Sequence, residues 1–259
     1  MSKKQFKLLC ALFLFVFVAC NSDDNEQPST SKPVLKLSFA HLMNAENLVF
    51  NKMYTNASNE PFTVKTLRYY VGEVNLTKTG GQTWTQPSGS YALIDASKQE
   101  KLNWSLAQVP DGEYTQLSFL LGVDSLYNVS GAQEGALDPL NGMFWTWNSG
   151  YIFLKLEGVS DSIKTDRKSY EIHIGGFKKP YNAIRRITLD LTGKPLRING
   201  QAANLSEVKI KTDVARLLNG EPNVMSVKSN SDISMPSVAA TKVADNYAQM
   251  FSVQEVVNP

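Results

Sequence analysis

The side chains best suited to bind a transition metal in this chain are two histidines, His41 and His173, which are its only imidazoles. A second feature is the segment 137–151, which holds two of the four tryptophans and a methionine among glycines. Its aromatic and sulfur-containing side chains are Met143, Phe144, Trp145, Trp147 and Tyr151. Together these features indicate a metal-binding module rather than an enzyme.

Strand-like alternation assigns each histidine to a face. His41 falls on the apolar side of residues 35–41, whereas His173 falls opposite the apolar side of residues 170–174. These faces are not the same, so the pattern alone does not bring the two imidazoles together. A hydrogen-bonded, structural role for each histidine therefore stays open beside the metal-binding one.

Motifs for nucleophilic or metal-dependent catalysis are missing from the sequence. It contains no Gly-x-Ser-x-Gly elbow, no His-Glu-x-x-His zinc pair and no glycine-rich phosphate loop. A pair of carboxylates for glycoside hydrolysis leaves no trace in sequence, so that alternative stays open without support. We expect a protein that is not an enzyme.

Four polar residues beside the tryptophan-rich segment could supply oxygen ligands to calcium. They are Asp124, Asn128, Asp138 and Asn141. The alternative is that these side chains close loops by bonding to nearby backbone amides.

The first 19 residues have the features of a secretory signal peptide. Lys3, Lys4 and Lys7 precede an apolar run at 8–18 that is too short to span a bilayer. The run ends in a sequence that resembles the lipobox of bacterial lipoproteins, which makes Cys20 the predicted lipid anchor to the membrane. Cys10, the other cysteine, leaves with the signal, so no disulfide is expected in the mature chain.

Residues 20–33 form the predicted tether, because they contain no large apolar side chain that could order them. Their acidic start resembles the export signal of surface lipoproteins in Bacteroidetes, which predicts a surface-exposed protein of the outer membrane. The alternative is a protein that faces the periplasm. Of 26 basic residues, three belong to the signal, so the mature chain has 23 against 24 acidic residues. This balance argues against nucleic acid as a partner.

Residues 34–259 are predicted to form one all-β domain, an antiparallel β-sandwich with long loops and a short helix near the C-terminus. Gly72 marks a predicted bend in a long strand. Apolar residues at helical spacing predict the helix at 237–251. The predicted strands are 34–40, 62–76, 91–95, 113–122, 151–158, 169–175, 184–192 and 205–218.

Seven blocks of sequence, collinear over about residues 35–251, resemble the MbnP-like family. The most specific are Met-x-Trp-x-Trp at 143–147 and Gly-Tyr-x-Phe-x-Lys-x-Glu-Gly at 150–158. The others are Ser-Phe-Ala-His at 38–41, Leu-Arg-Tyr-Tyr-Val-Gly-Glu-Val-Asn-Leu at 67–76, Gly-Glu-Tyr at 112–114, Leu-Gly-Val-Asp at 121–124 and His-Ile-Gly at 173–175.

The resemblance implies an exported β-sandwich that binds copper, Cu(I) or Cu(II), for capture, storage or hand-over. The ligands it implies are two histidines, which here fall on His41 and His173. Well-known members carry a tryptophan two residues before the first histidine, oxidised to kynurenine by a dihaem partner enzyme. Phe39 occupies that position here and cannot give kynurenine.

The departure at Phe39 predicts weaker copper binding, unless another side chain completes the site. The candidates for a third ligand or a neighbouring contact are Met143, Trp145, Trp147 and Phe39 itself. The predicted partners are a dihaem peroxidase-like enzyme or a copper-uptake protein; no pattern predicts the oligomeric state.

An alternative hypothesis is that the protein is a surface module that binds glycans or another macromolecule without a metal. Its binding surface would use exposed aromatic rings as stacking platforms. The candidates are Trp84, Trp104 and Tyr127.

Overall fold

β-Strands are the main regular structure of the chain, as the alternating pattern predicts. The computed structural model describes residues 33–145, 150–220 and 222–259. The predicted signal peptide, Cys20, nearly all of the tether, and Trp147 therefore lie outside the described residues.

Sixteen strands are present among these residues. They are β1 (Pro33–Met43), β2 (Glu46–Asn47), β3 (Met53–Thr55), β4 (Pro61–Lys78), β5 (Thr83–Thr85), β6 (Tyr91–Asp95), β7 (Asn103–Ala107), β8 (Gly112–Leu121), β9 (Phe144–Trp145), β10 (Gly150–Val159), β11 (Ser169–Gly175), β12 (Arg185–Asp190), β13 (Leu196–Ile198), β14 (Ser206–Asp213), β15 (Asp232–Ile233) and β16 (Phe251–Val257). The α-helices are α1 (Ser125–Val129), α2 (Arg216–Asn219) and α3 (Val238–Tyr247), and 3-10 turns cover Gln99–Lys101, Gly135–Leu137 and Pro139–Asn141.

The smaller sheet has the strand order β16-β14-β1-β2, with β7 also paired to β1. The prediction of an antiparallel fold is wrong for two strand pairs. In the smaller sheet β1 and β14 run parallel, from Leu35 opposite Ser206 to Leu42 opposite Asp213. In the larger sheet the two-residue strand β15 runs parallel to β11. A parallel pair needs a long crossover connection, and for β1 and β14 the larger sheet supplies it. Alternation along a strand carries no information about the direction of its neighbour.

The larger sheet is organised by the 18-residue strand β4. The antiparallel strand β10 pairs with its first half and β8 with its second half. Between the halves the register shifts just after Gly72, and Glu73 adopts a φ of 46°. The predicted bend at Gly72 is confirmed, and a Cβ there would lie 2.3 Å from the Tyr91 ring.

The two sheets pack face to face around aromatic side chains. Phe39 of β1 makes edge-on contacts with Tyr69 of β4, Phe119 of β8 and Phe251 of β16, at ring-centroid distances of 6.1, 6.2 and 6.5 Å. All four rings are buried. An all-β sandwich is therefore confirmed, and Phe39 belongs to its core.

The end of the chain differs from the prediction. Strand β14 stops at Asp213, and the predicted strand 205–218 is cut short there by a turn that leads into the short helix α2. Helix α3 begins after Ser237, whose Oγ accepts a hydrogen bond from the Ala240 amide at 3.1 Å. It ends at Tyr247, and the chain then adds β16 to the sheet beside β14. Among the described residues no helix is long and apolar enough to cross a membrane.

Replacing Gly158 by alanine is expected to lower the free energy of unfolding by roughly 1–3 kcal/mol, the usual cost of overpacking. The new Cβ would lie 1.8 Å from the Thr63 carbonyl oxygen, which is fixed in the sheet. Gly193→Ala is the matched control, because nothing lies within 4 Å of its Cβ position. Urea unfolding measures both variants, and equal stability of the two would contradict this packing.

Candidate functional site

His41 lies on the inner face of the smaller sheet, where it is partly buried. Its Nε2 is 2.9 Å from the hydroxyl of Tyr69, and the two rings meet edge-on at 5.7 Å. Thr212 of the parallel neighbour β14 stands beside it and is fully buried. The imidazole therefore faces the core between the sheets.

Burial determines the protonation of this pair. Desolvation lowers the pKa of His41 from 6.5 to about 4 and raises the pKa of Tyr69 far above its ordinary value. At neutral pH the imidazole is uncharged and the phenol keeps its proton. Neither Tyr69 nor Thr212 then offers an anionic ligand to a metal.

His173 has an entirely different environment on the outer face of the larger sheet. Its Nε2 lies 2.8 Å from Oε1 of Glu157, one strand away on β10. This hydrogen bond is the largest cause that lowers the pKa of Glu157 to about 2, so the carboxylate is charged at neutral pH. The side chains remain 12% and 31% exposed, respectively, so solvent reaches the pair.

Four side chains on neighbouring strands extend this site into a polar row, formed by Asp95, Arg68, Lys155 and His173. They lie directly opposite one another on β6, β4, β10 and β11. Nε of Arg68 is 2.9 Å from Oδ2 of Asp95. The row is one stripe of cross-strand neighbours, all on the face of the larger sheet that points away from the core.

The two histidines consequently do not share a site. Tyr69, which contacts His41, pairs with Leu154 and through it with Ile174 on the inner face of the larger sheet. His173 precedes Ile174 and points to the opposite face, as strand alternation requires. The expected two-histidine copper site is thus not assembled in this structure, because the sheet itself lies between the imidazoles.

The tryptophan-rich segment covers the outer face next to the polar row. Met143 and Trp145 are buried. The Trp145 ring lies over Gly175, where a Cβ would come within 2.7 Å of Cζ3. Gly175 follows His173 by two positions and shares its face, so Trp145 belongs to the surroundings of His173 and not of His41. Phe39, the other candidate, is in the core beside His41.

Lysine and arginine of the polar row also hold this segment in place. Nζ of Lys155 donates to the Gly142 carbonyl at 2.7 Å, and Nη1 of Arg68 donates to the Asn141 carbonyl at 3.3 Å. Glu157, Lys155 and Arg68 were not among the predicted site residues. Alternation in the block 150–158 does place Lys155 and Glu157 on one face. Which residues of other strands lie beside them can be known only from the register of strand pairing.

The four calcium candidates have the loop-closing role in the structure. Oδ1 of Asp124 accepts from the amides of Leu126 and Tyr127, at 2.7 and 3.1 Å, and so caps α1. Oδ1 of Asp138 accepts from the Leu140 amide at 2.8 Å.

The two asparagines bond to backbone in the same way. Asn128 donates to the Val123 carbonyl at 2.6 Å and accepts from the Tyr151 amide, while Asn141 donates to the Gly135 carbonyl at 2.9 Å. Over residues 33–145, 150–220 and 222–259, no three His, Cys, Asp or Glu side chains cluster as a metal site. The expected calcium site is therefore not supported.

The lowered pKa of His41 makes stability depend on pH. The unfolded chain takes up a proton near pH 6.5 and the folded chain only near pH 4, so acid favours unfolding. We therefore expect the free energy of unfolding to be highest above pH 6.5. It should fall by roughly 3 kcal/mol in all as the pH drops to about 4. Urea unfolding at pH 7, 5.5 and 4 measures it.

The control is the matched pair His41→Gln and His173→Gln. The first variant should lose most of the pH dependence in this window, and the second should keep it. An identical slope in the parent and His41→Gln would contradict a neutral, core-facing His41.

Comparisons with known proteins agree with this architecture. A family model described as MbnP matches residues 32–237. Among solved structures, MbnP from Methylosinus trichosporium matches with a TM-score of 0.52 and 15% identity, over 86% of this chain and 98% of that chain. This structural likeness concerns the fold alone, and the comparison with curated proteins found no match. Because the family model covers well over half of its length, the chain belongs to the MbnP family.

Proposed function

We propose that this protein is an exported lipoprotein that binds copper, for capture and hand-over of the metal. Membership of the MbnP family carries the proposal. The signal-like first 19 residues and the lipobox-like Cys20 support export and anchoring at the outer membrane. Loss of the chain from the membrane fraction in Cys20→Ala would support the anchor, and retention there would contradict it.

Of the two histidines, His173 is the better copper ligand. It stands 2.8 Å from the charged carboxylate of Glu157, and solvent reaches both side chains. A neutral imidazole nitrogen and a carboxylate oxygen are a donor pair that suits Cu(II), and imidazole also holds Cu(I). His41 has only a neutral phenol and a neutral hydroxyl beside it, in the core. We therefore assign copper to His173 and Glu157.

Two protein ligands make a weaker site than a full ligand set. Phe39 cannot provide a kynurenine, and its ring is enclosed by the core, so it does not complete the site at His173. Solvent molecules would fill the remaining positions. Such a site favours exchange of copper with a partner over long-term storage, and it needs no dihaem enzyme to mature it.

The direct test is the copper content of the full chain after equilibration with Cu(II), and separately with Cu(I), followed by removal of unbound metal. Cys10→Ser and Cys20→Ser in every sample remove competing thiols. One copper per chain is expected in the parent and in His41→Gln, and none in His173→Ala. Glu157→Gln should weaken binding roughly tenfold or more, because losing a ligand should cost at least as much as the roughly tenfold loss common for a residue that only supports one.

Glu134→Gln is the matched control, since Glu134 is an exposed carboxylate that belongs neither to the proposed ligands nor to the polar row. Copper lost equally from His41→Gln and His173→Ala would restore a shared site and overturn the assignment to Glu157. A parent chain without copper in either oxidation state would overturn the proposed function itself.

A further inference from the structure

A polar cleft separate from the His173–Glu157 pair lies at the edge of the sandwich, and neither histidine lines it. It has a volume of about 580 Å³. Its floor is strand β6 with Arg68, one wall is the turn 98–101 with Asn103 and Trp104, and the other wall is the segment 135–141. A cleft of this size matches one or two sugar rings or another small polar ligand.

The floor of the cleft is held in a fixed geometry. Oδ1 of Asp95 accepts from the amide and the hydroxyl of Ser97, at 3.1 and 2.6 Å, while Oδ2 pairs with Nε of Arg68. Nη1 of Arg68 is bonded to the Asn141 carbonyl. Nη2 of Arg68 has no acceptor among the described residues, so two N–H donors of a fixed guanidinium remain for a ligand.

The walls combine an aromatic ring with uncompensated positive charge. Trp104 is partly exposed and lies at the edge strand β7, where it pairs with Leu37. Lys98 and Lys101 are exposed and form no ion pair with any residue that the structure describes. Glu100 is the single acidic residue on this wall. Asp95, on the floor of the cleft, is already paired with Arg68 and does not offset the charge of the lysines.

We propose that this cleft binds a uronic-acid unit of an acidic glycan. An indole face is a stacking surface for the apolar face of a sugar ring. Lys98 and Lys101 supply charge-assisted hydrogen bonds to the sugar carboxylate. Nη2 of Arg68 and the amide of Asn103 are donors for its oxygen atoms. The proposal is independent of copper, since it uses neither His173 nor Glu157.

The test is calorimetric titration of metal-free full chain with trigalacturonate, beside the neutral trisaccharide maltotriose. Binding is expected for the acidic sugar only. Lys101→Gln should weaken it roughly tenfold, the effect of losing one charge-assisted hydrogen bond. Lys164→Gln, an exposed lysine on another loop, should leave it unchanged.

A second pair of variants tests the aromatic platform. Trp104→Phe keeps an apolar ring against Leu37 but reduces the stacking area, and should also weaken binding several-fold. Trp84→Phe, on the hairpin strand β5, should not. No binding of trigalacturonate, or equal binding of the neutral sugar, would overturn the proposal. So would binding that neither Lys101→Gln nor Trp104→Phe affects.

Discussion

Neighbouring residues of a β-strand point to opposite faces of its sheet, and in this protein that constraint determines the environment of each histidine. Tyr69, Leu154 and Ile174 form an inner-face row across three strands, and His41 packs onto it from the other sheet. Arg68, Lys155 and His173 are the sequence neighbours of those residues and form the outer-face row. One imidazole therefore faces the core between the sheets, and the other lies on the outer face of the larger sheet.

The separation has electrostatic consequences. On the inner side no charge is tolerated without a partner, so the His41 imidazole stays neutral and its pKa falls to about 4. On the outer side the hydrogen bond with His173 stabilises the charged carboxylate, so the pKa of Glu157 also falls, to about 2. The same direction of shift thus has opposite causes: loss of solvent at His41 and a hydrogen-bonded partner at Glu157.

Much of the fold follows from local pattern, and what does not follow depends on contacts between distant segments. Strands β6 and β11 begin and end where alternation predicts, and so does the bend at Gly72. Alternation also assigned the correct face to each histidine. The parallel pairing of β1 with β14 and the addition of β16 are invisible locally, because strand direction and order are set by the partner.

The candidate site was predictable to the same extent. Its histidine was identified from composition, but its carboxylate, Glu157, becomes apparent only when β10 is aligned with β11. The prediction of one shared site came from counting histidines and from the family resemblance, and neither contains the register that separates them. The calcium site was predicted but is not supported, because asparagine and aspartate that close loops are the same residue types as those that bind calcium through oxygen.

The claim that the sheet separates the two histidines can be tested by counting the nitrogen ligands of bound copper. Pulsed EPR of the full chain loaded with one equivalent of Cu(II), and carrying Cys10→Ser and Cys20→Ser, reports the number of coordinated imidazoles. The signature of one imidazole is expected, unchanged in His41→Gln and absent in His173→Ala. Two equivalent imidazoles on one copper ion would contradict the claim.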